Sequence, residues 1–222
     1  MYQLWAGPST IDQSPLVILA NLTSTNRKTG PMVQTWILRA DISPTLAQRQ
    51  GLDRAICGDC ALRNGACYVL PHQAPTRIWH GQWQPAPPQL LRQQVVRLGA
   101  YGDPVAVPFE AWAPWIQQAR HVLGYTHLWR EADTRFQPYL MASVESLHEA
   151  QLAHQAGWRT FRIVTDPQDR TRHEALCPAH ERKLQCIHCQ VCDGHQRRLR
   201  GHIVAPVHGA NWKIKRFHTL HH

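Results

Sequence analysis

The chain has 222 residues, 43% hydrophobic and 18% charged, which excludes a disordered polymer and leaves ample apolar material for a core. No apolar run approaches the roughly 18 residues of a membrane span, which excludes a helical membrane protein. Net charge is +9, with 15 histidines besides; such an excess points to nucleic acid, a nucleotide or another polyanion as partner and says nothing of fold.

Met1 to Pro8 lacks the basic and apolar regions of a signal peptide, so the expected setting is the cytoplasm. Thiols stay reduced there, and clustered cysteines read as metal ligands before they read as disulfides. Leu16 to Leu22 is an apolar run of strand length. Thr23 to Gly30 reads as a turn, and Met32 to Leu38 as a second strand, so residues 16–38 predict a hairpin. Ser43 precedes a short helix from Pro44 to Gln50. Residues 71–88, rich in proline and tryptophan, read as an irregular loop.

Beyond it, Val95–Leu98 predicts a strand ending in Gly99-Ala-Tyr-Gly-Asp-Pro104. Phe109 to Leu123 has helical period, with Phe109, Trp112, Ile116 and Ala119 along one face. Strands are expected at 124–129, 139–143, 160–164 and 202–207, with a helix from Ser146 to Ala156 stopped by Gly157. This rhythm is that of βαβ units. The expected class is α/β, a partial or eroded (βα) barrel with an irregular cysteine-rich C-terminal segment; an open sheet is the alternative. One domain spans 1–222: a hairpin and lead-in to 56, a cysteine-triplet loop over 57–94, a βα core over 95–170, and a four-cysteine segment with the last strand over 171–222.

In such folds functional groups gather beyond the carboxyl ends of the strands. Those positions hold Tyr101, Gly102 and Asp103; Thr126, His127, Trp129 and Arg130; Ser143, Glu145 and Ser146; Thr165 and Asp166; and His208, Gly209 and Asn211. Loops are polar everywhere, so each residue alone says little. Taken together, His127, Glu145, Asp166 and His208 are the candidate catalytic groups. Gly102, Asp103, Arg130 and Ser143 are the candidate cofactor- and substrate-binding groups.

The seven cysteines fall into two sets. Cys177, Cys186, Cys189 and Cys192 include the three-apart spacing of a ferredoxin run, as a closed [4Fe–4S] cluster needs. Zinc, with His180, His188 or His195 replacing one thiol, is the alternative. Cys57, Cys60 and Cys67 supply three thiols and would leave one iron of a [4Fe–4S] cluster open, the position at which S-adenosylmethionine is held in radical enzymes. The alternative there is zinc completed by His72 or His80. Cooperation between the sets requires Cys67 and Cys177 on one face of the sheet.

Two resemblances rest on these residues. Lys28-Thr-Gly-Pro31, Cys57-x2-Cys60-Ala-Leu-x4-Cys67-Tyr68, Leu98-Gly-Ala-Tyr-Gly-Asp103, Gly124-Tyr-Thr-His127, Ala142-Ser-Val-Glu-Ser146 and Cys177-Pro-Ala are similar to the gene-product-88-like family of phage and plasmid proteins. That likeness spans residues 28 to 209 and implies no particular activity. The cysteine triplet, followed by a strand ending in Tyr101-Gly-Asp-Pro104, resembles the opening of radical S-adenosylmethionine barrels. It implies that Gly102 and Asp103 lie against the methionyl amine, and Ala142–Ser146 resembles a later strand of those barrels. The triplet spacing and the short chain depart from that family. The expected function is an iron–sulfur protein, of radical S-adenosylmethionine type if an enzyme, acting on a nucleic acid or nucleotide. The alternative is a non-enzymatic zinc protein that binds nucleic acid.

Overall fold

Strands form where apolar residues run longest. The run expected from the sequence becomes β2 (Pro15–Asn21), where Leu16 to Ala20 are all buried. It pairs antiparallel with β3 (Val33–Arg39) as the expected hairpin, and on its other side with β1 (Tyr2–Pro8). In this computed structural model, residues 1–63, 65–195 and 201–221 are described; the segment assigned to 171–222 therefore includes six positions, 196–200 and 222, outside the described residues.

The remaining strands are β4 (Gln84–Pro85), β5 (Val95–Tyr101), β6 (His121–Leu123), β7 (Tyr125–Thr126), β8 (Met141–Val144), β9 (Thr160–Val164), β10 (Glu174–Leu176) and β11 (His202–Pro206). They make two sheets, ordered β4-β1-β2-β3-β5-β6 and β10-β11-β9-β8-β7. The second is parallel throughout, and the first turns parallel from β3 onward. The class is thus mixed α/β with two mostly parallel sheets.

One residue separates the sheets. Gly124 stands between β6 and β7, and a Cβ there would meet Leu140 Cδ2 at 2.5 Å. Its N–H donates to the Cys192 carbonyl at 3.3 Å, and its carbonyl accepts from Met141 at 3.0 Å. A side chain there would displace the Leu140 tip and crowd the Leu98 carbonyl, 3.3 Å from such a Cβ.

The helices are α1 (Pro44–Arg49), α2 (Arg54–Cys57), α3 (Ala74–Trp79), α4 (Phe109–Ile116), α5 (Leu147–Gln155), α6 (Pro178–Glu181), α7 (Cys186–Cys189) and α8 (Asn211–His221). The Ser146 hydroxyl accepts the Glu149 N–H at 3.1 Å and caps α5, a contribution of about 1 kcal/mol. The helix expected to reach Leu123 ends at Ile116. Pro114 withholds an amide from its ladder, and Arg120 N–H turns instead to the Gln94 carbonyl at 2.9 Å, starting β6. Trp112 is fully buried, its indole N–H donating to the Pro104 carbonyl at 2.9 Å.

A buried ion pair holds the second sheet to its outer connection. Arg162 Nε and Nη2 each donate to one Glu174 carboxylate oxygen at 2.7 Å, with both side chains at most 5% exposed. Burial alone would raise the Glu174 carboxyl, but Arg162 and the Thr171 N–H outweigh it and hold it below its ordinary value of 4.5. A depressed carboxyl stabilises the fold above its unfolded value and loses that contribution as pH falls. Glu174→Gln should therefore cost about 3 kcal/mol at pH 7 by urea denaturation, since it strands a buried guanidinium. The gap from wild type should narrow as pH drops below 4.5; a gap constant down to pH 3 would refute the assignment.

Candidate functional site

Strand residues of period two face a cavity of about 260 Å³: Arg97 from β5, Tyr125 from β7, Ser143 from β8, Phe161 and Ile163 from β9, and Ala205 from β11. Six of the seven cysteines line it, from both sets. Cys67 and Cys177 thus share one cavity. The sets arrive from opposite ends of β3. Cys186 and Ile187 N–H groups donate to the Lys28 and Thr29 carbonyls at 3.0 Å, just before that strand. The triplet stands by its far end, where Asp103 N–H donates to the Ile56 carbonyl and a Cβ on Gly102 would meet the Ile37 carbonyl at 2.6 Å. Gly102 also has φ +82°, so glycine is required there twice over.

Within each set the thiols affect one another. The Cys57 thiol is pushed well above its ordinary value, by burial first and then by Cys67 and Cys60. Cys192 is pushed up to about 12 by burial, with Cys177, Cys186 and Cys189 adding to it. The Tyr125 hydroxyl stands beside the Cys192 thiol. Cys189 does not line the cavity and joins its set through Cys186 and Cys192. All seven thiols are free of disulfides. Their donor chemistry fits a soft metal or an iron–sulfur cluster. Among the described residues, however, no three His, Cys, Asp or Glu side chains are already gathered into a metal-binding group, so ligation would have to draw them together. His72 and His80 do not line this cavity, His180 does, and His188 and His195 lie off it.

The other candidate residues divide. His127 lines the cavity; its Nε2 is 3.1 Å from Glu145 Oε1, and the Cys60 thiol lies near its ring. Burial would lower the His127 imidazole, but Cys60 and Glu145 outweigh it and hold it well above its ordinary value. Glu145 reaches the cavity only through His127. His208 lines the cavity and packs on Tyr68 with ring centroids 5.5 Å apart; burial and nearby Lys28 lower its imidazole. Ser143 is buried against the cavity. Asp166 and Arg130 lie elsewhere. Asp166 is exposed and accepts the Gln168 N–H at 2.8 Å, while Arg130 stacks on Trp129 and pairs with Glu149 at 3.1 Å.

Asp103 lines the cavity, yet its oxygens are already engaged. Oδ1 accepts the Val105 N–H at 3.0 Å and Oδ2 the His127 N–H at 2.7 Å. It fixes the turn after β5 and orients His127. Tyr101, 6% exposed, carries a hydroxyl with no hydrogen-bond partner among the described residues.

Two residues that sequence reasoning passed over shape the site. Arg97, a charge within the apolar stretch Val95–Leu98, reaches into the cavity. Lys213 of α8, 3% exposed, donates to the carbonyls of Cys67 and Val69, and Phe217 packs beside Leu62 and Ala66. The buried lysine could have been found as the inward position of an amphipathic turn, Lys213 and Phe217 being four apart.

Comparison with family models, curated proteins and solved structures finds no match to this chain. No helix among the described residues is long and apolar enough to cross a membrane. Asp103→Asn should cost about 1–3 kcal/mol in urea denaturation, because one oxygen becomes an NH2 facing a backbone N–H. An unchanged midpoint would mean that the carboxylate is available to a ligand instead.

Proposed function

We propose that this chain is an iron–sulfur protein of phage or plasmid type, a radical S-adenosylmethionine-like enzyme acting in the cytoplasm on a nucleic acid or nucleotide. One observation carries the reading: cysteines from residues 57–67 and 177–192, far apart in sequence, line one cavity in the company of Gly102, Asp103, His127 and Ser143. The strand order supports the finer fold. β3, β5, β6 continued by β7, β8, β9 and β11 follow one another in chain order, all parallel and interrupted only at Gly124, as a partial (βα) barrel requires.

In this reading Cys57, Cys60 and Cys67 hold an open cluster, and Cys177, Cys186, Cys189 and Cys192 a closed one. The open cluster, when loaded, supplies one electron for reductive cleavage of a sulfonium. The protein's own part is placement and exclusion of water. The turn after β5, held by Asp103 through two N–H groups, shapes the wall beside the triplet. His127 and His208 are the groups that can move a proton within the cavity, and Glu145 orients His127. Asp166 and Arg130 take no part, lying off the cavity.

The second reading, a zinc protein that binds nucleic acid without catalysis, is favoured by the net charge of +9. Oxygen-free purification with iron, sulfide and zinc analysis separates the two. The cluster reading expects about eight iron and eight sulfide per chain. Cys57→Ala and Cys192→Ala should each lose about half of that and retain the rest. Stoichiometric zinc without iron in a colourless preparation overturns the cluster reading.

A further inference from the structure

Among the described residues, the buried and half-buried arginines are paired with carboxylates, with one exception lining the cavity. Arg63 stands 3.1 Å from Asp53, Arg159 2.9 Å from Asp193, and Arg162 2.7 Å from Glu174. Arg97 has no carboxylate partner among the described residues. Its Nη2 donates to the Tyr68 hydroxyl at 2.5 Å, and its Nε is buried with no hydrogen-bond partner among the described residues. A desolvated guanidinium is costly unless an anion faces it, and a fold that neutralises its other buried arginines would be expected to neutralise this one.

The surroundings carry the same sign. Lys28, His180 and His208 line the cavity and are exposed, so they stand at its mouth, and each interacts electrostatically with another of this group or with Arg97. Asp103 is the one carboxylate among the cavity-lining residues described, and both its oxygens are taken by backbone N–H groups. Tyr101 adds a second buried donor without a partner on the same cavity. A guanidinium without a carboxylate, on a cavity whose mouth carries Lys28, His180 and His208, is what a bound oxyanion satisfies.

We propose that Arg97, with Lys28 and His208, forms an oxyanion-binding subsite between the two cysteine sets, which takes the phosphate or carboxylate group of the substrate. Arg97 anchors the anion from within the strand, through the guanidinium N–H groups that Tyr68 leaves open. Lys28 and His208 close on it from the mouth. Tyr68, next to Cys67, fixes the guanidinium and so couples the subsite to the triplet loop. The inference takes from the reading above that this cavity is the working site, but it does not depend on which metal the thiols hold.

The test is isothermal titration calorimetry of the purified full chain at low salt, with inorganic phosphate and, separately, acetate as probes. Wild type should bind at least one, and the preferred probe tells a phosphate-bearing substrate from a carboxylate-bearing one. Arg97→Gln should weaken that binding at least tenfold. Loss of a buried side chain can unfold a protein, so Lys28→Gln, in an exposed turn, serves as the second variant and should weaken binding by several-fold with unchanged circular dichroism. Binding that persists after chelator removes all metal supports the subsite even if the cluster reading has failed. The proposal is overturned if wild type binds neither probe, or if both variants bind as wild type does. It is equally overturned if Arg97→Gln lowers metal content while leaving anion binding unchanged, because Arg97 would then serve the neighbouring thiol centre.

Discussion

The arrangement depends on one buried guanidinium. Arg159, 3% exposed at the start of β9, donates to the Val191 carbonyl at 3.0 Å, to the Asp193 carbonyl and carboxylate at 2.5 and 2.9 Å, and to the Gly201 carbonyl at 2.8 Å. A loop has few apolar side chains with which to hold itself to a sheet, so its backbone carbonyls must find donors. Here a single planar fork supplies them, bringing Val191, Asp193 and Gly201 to one point. With residues 191–193 held there, Cys192 meets Gly124 where the two sheets part, and Tyr125 stands beside the Cys192 thiol. Gly194 lies so near the 137–140 backbone that a Cβ would come within 1.7 Å of the Gln137 carbonyl. Cys192 to Gly194 are therefore keyed into the sheet junction.

Much of this was legible in the chain itself. The hairpin over 16–38 followed from two apolar runs around a polar turn, and the parallel character from alternation of strand and helix. The overrun of α4 had a local cause. Val122 and Leu123 continue the apolar period of the helix, and only the tertiary pairing with Val96 and Arg97 makes them a strand. β1 was passed over because Tyr2–Pro8 mixes buried and exposed positions, being next to the outer edge of its sheet. α8 went unread because six of its eleven residues are lysine, arginine, histidine or asparagine, and its inward face is only a lysine and a phenylalanine.

For the site, the cysteine grouping was readable from spacing, and the convergence of the two sets on one cavity was a condition that spacing could state but not satisfy. The strand-end rule selected His127, Ser143 and His208, which line the cavity, together with Asp166 and Arg130, which do not. The rule names the loop and leaves open the direction in which its side chains project. Asp166 spends its carboxylate on its own turn, and Arg130 is drawn to Trp129 and Glu149. Asp103 shows the converse case, a carboxylate at the predicted position whose hydrogen bonds are structural.

The contact between Lys213 and the Cys67 carbonyl spans 146 positions of sequence. During synthesis the chain emerges in order, so the triplet loop leaves the ribosome long before α8 exists to cover it. Until then Leu62 and Ala66 lack Phe217, and the carbonyls of Cys67 and Val69 face water. The cysteine loop therefore passes through a lengthy open interval while the 146 positions between Cys67 and Lys213 are made. Whatever is to be inserted among those thiols finds its widest entrance in that interval.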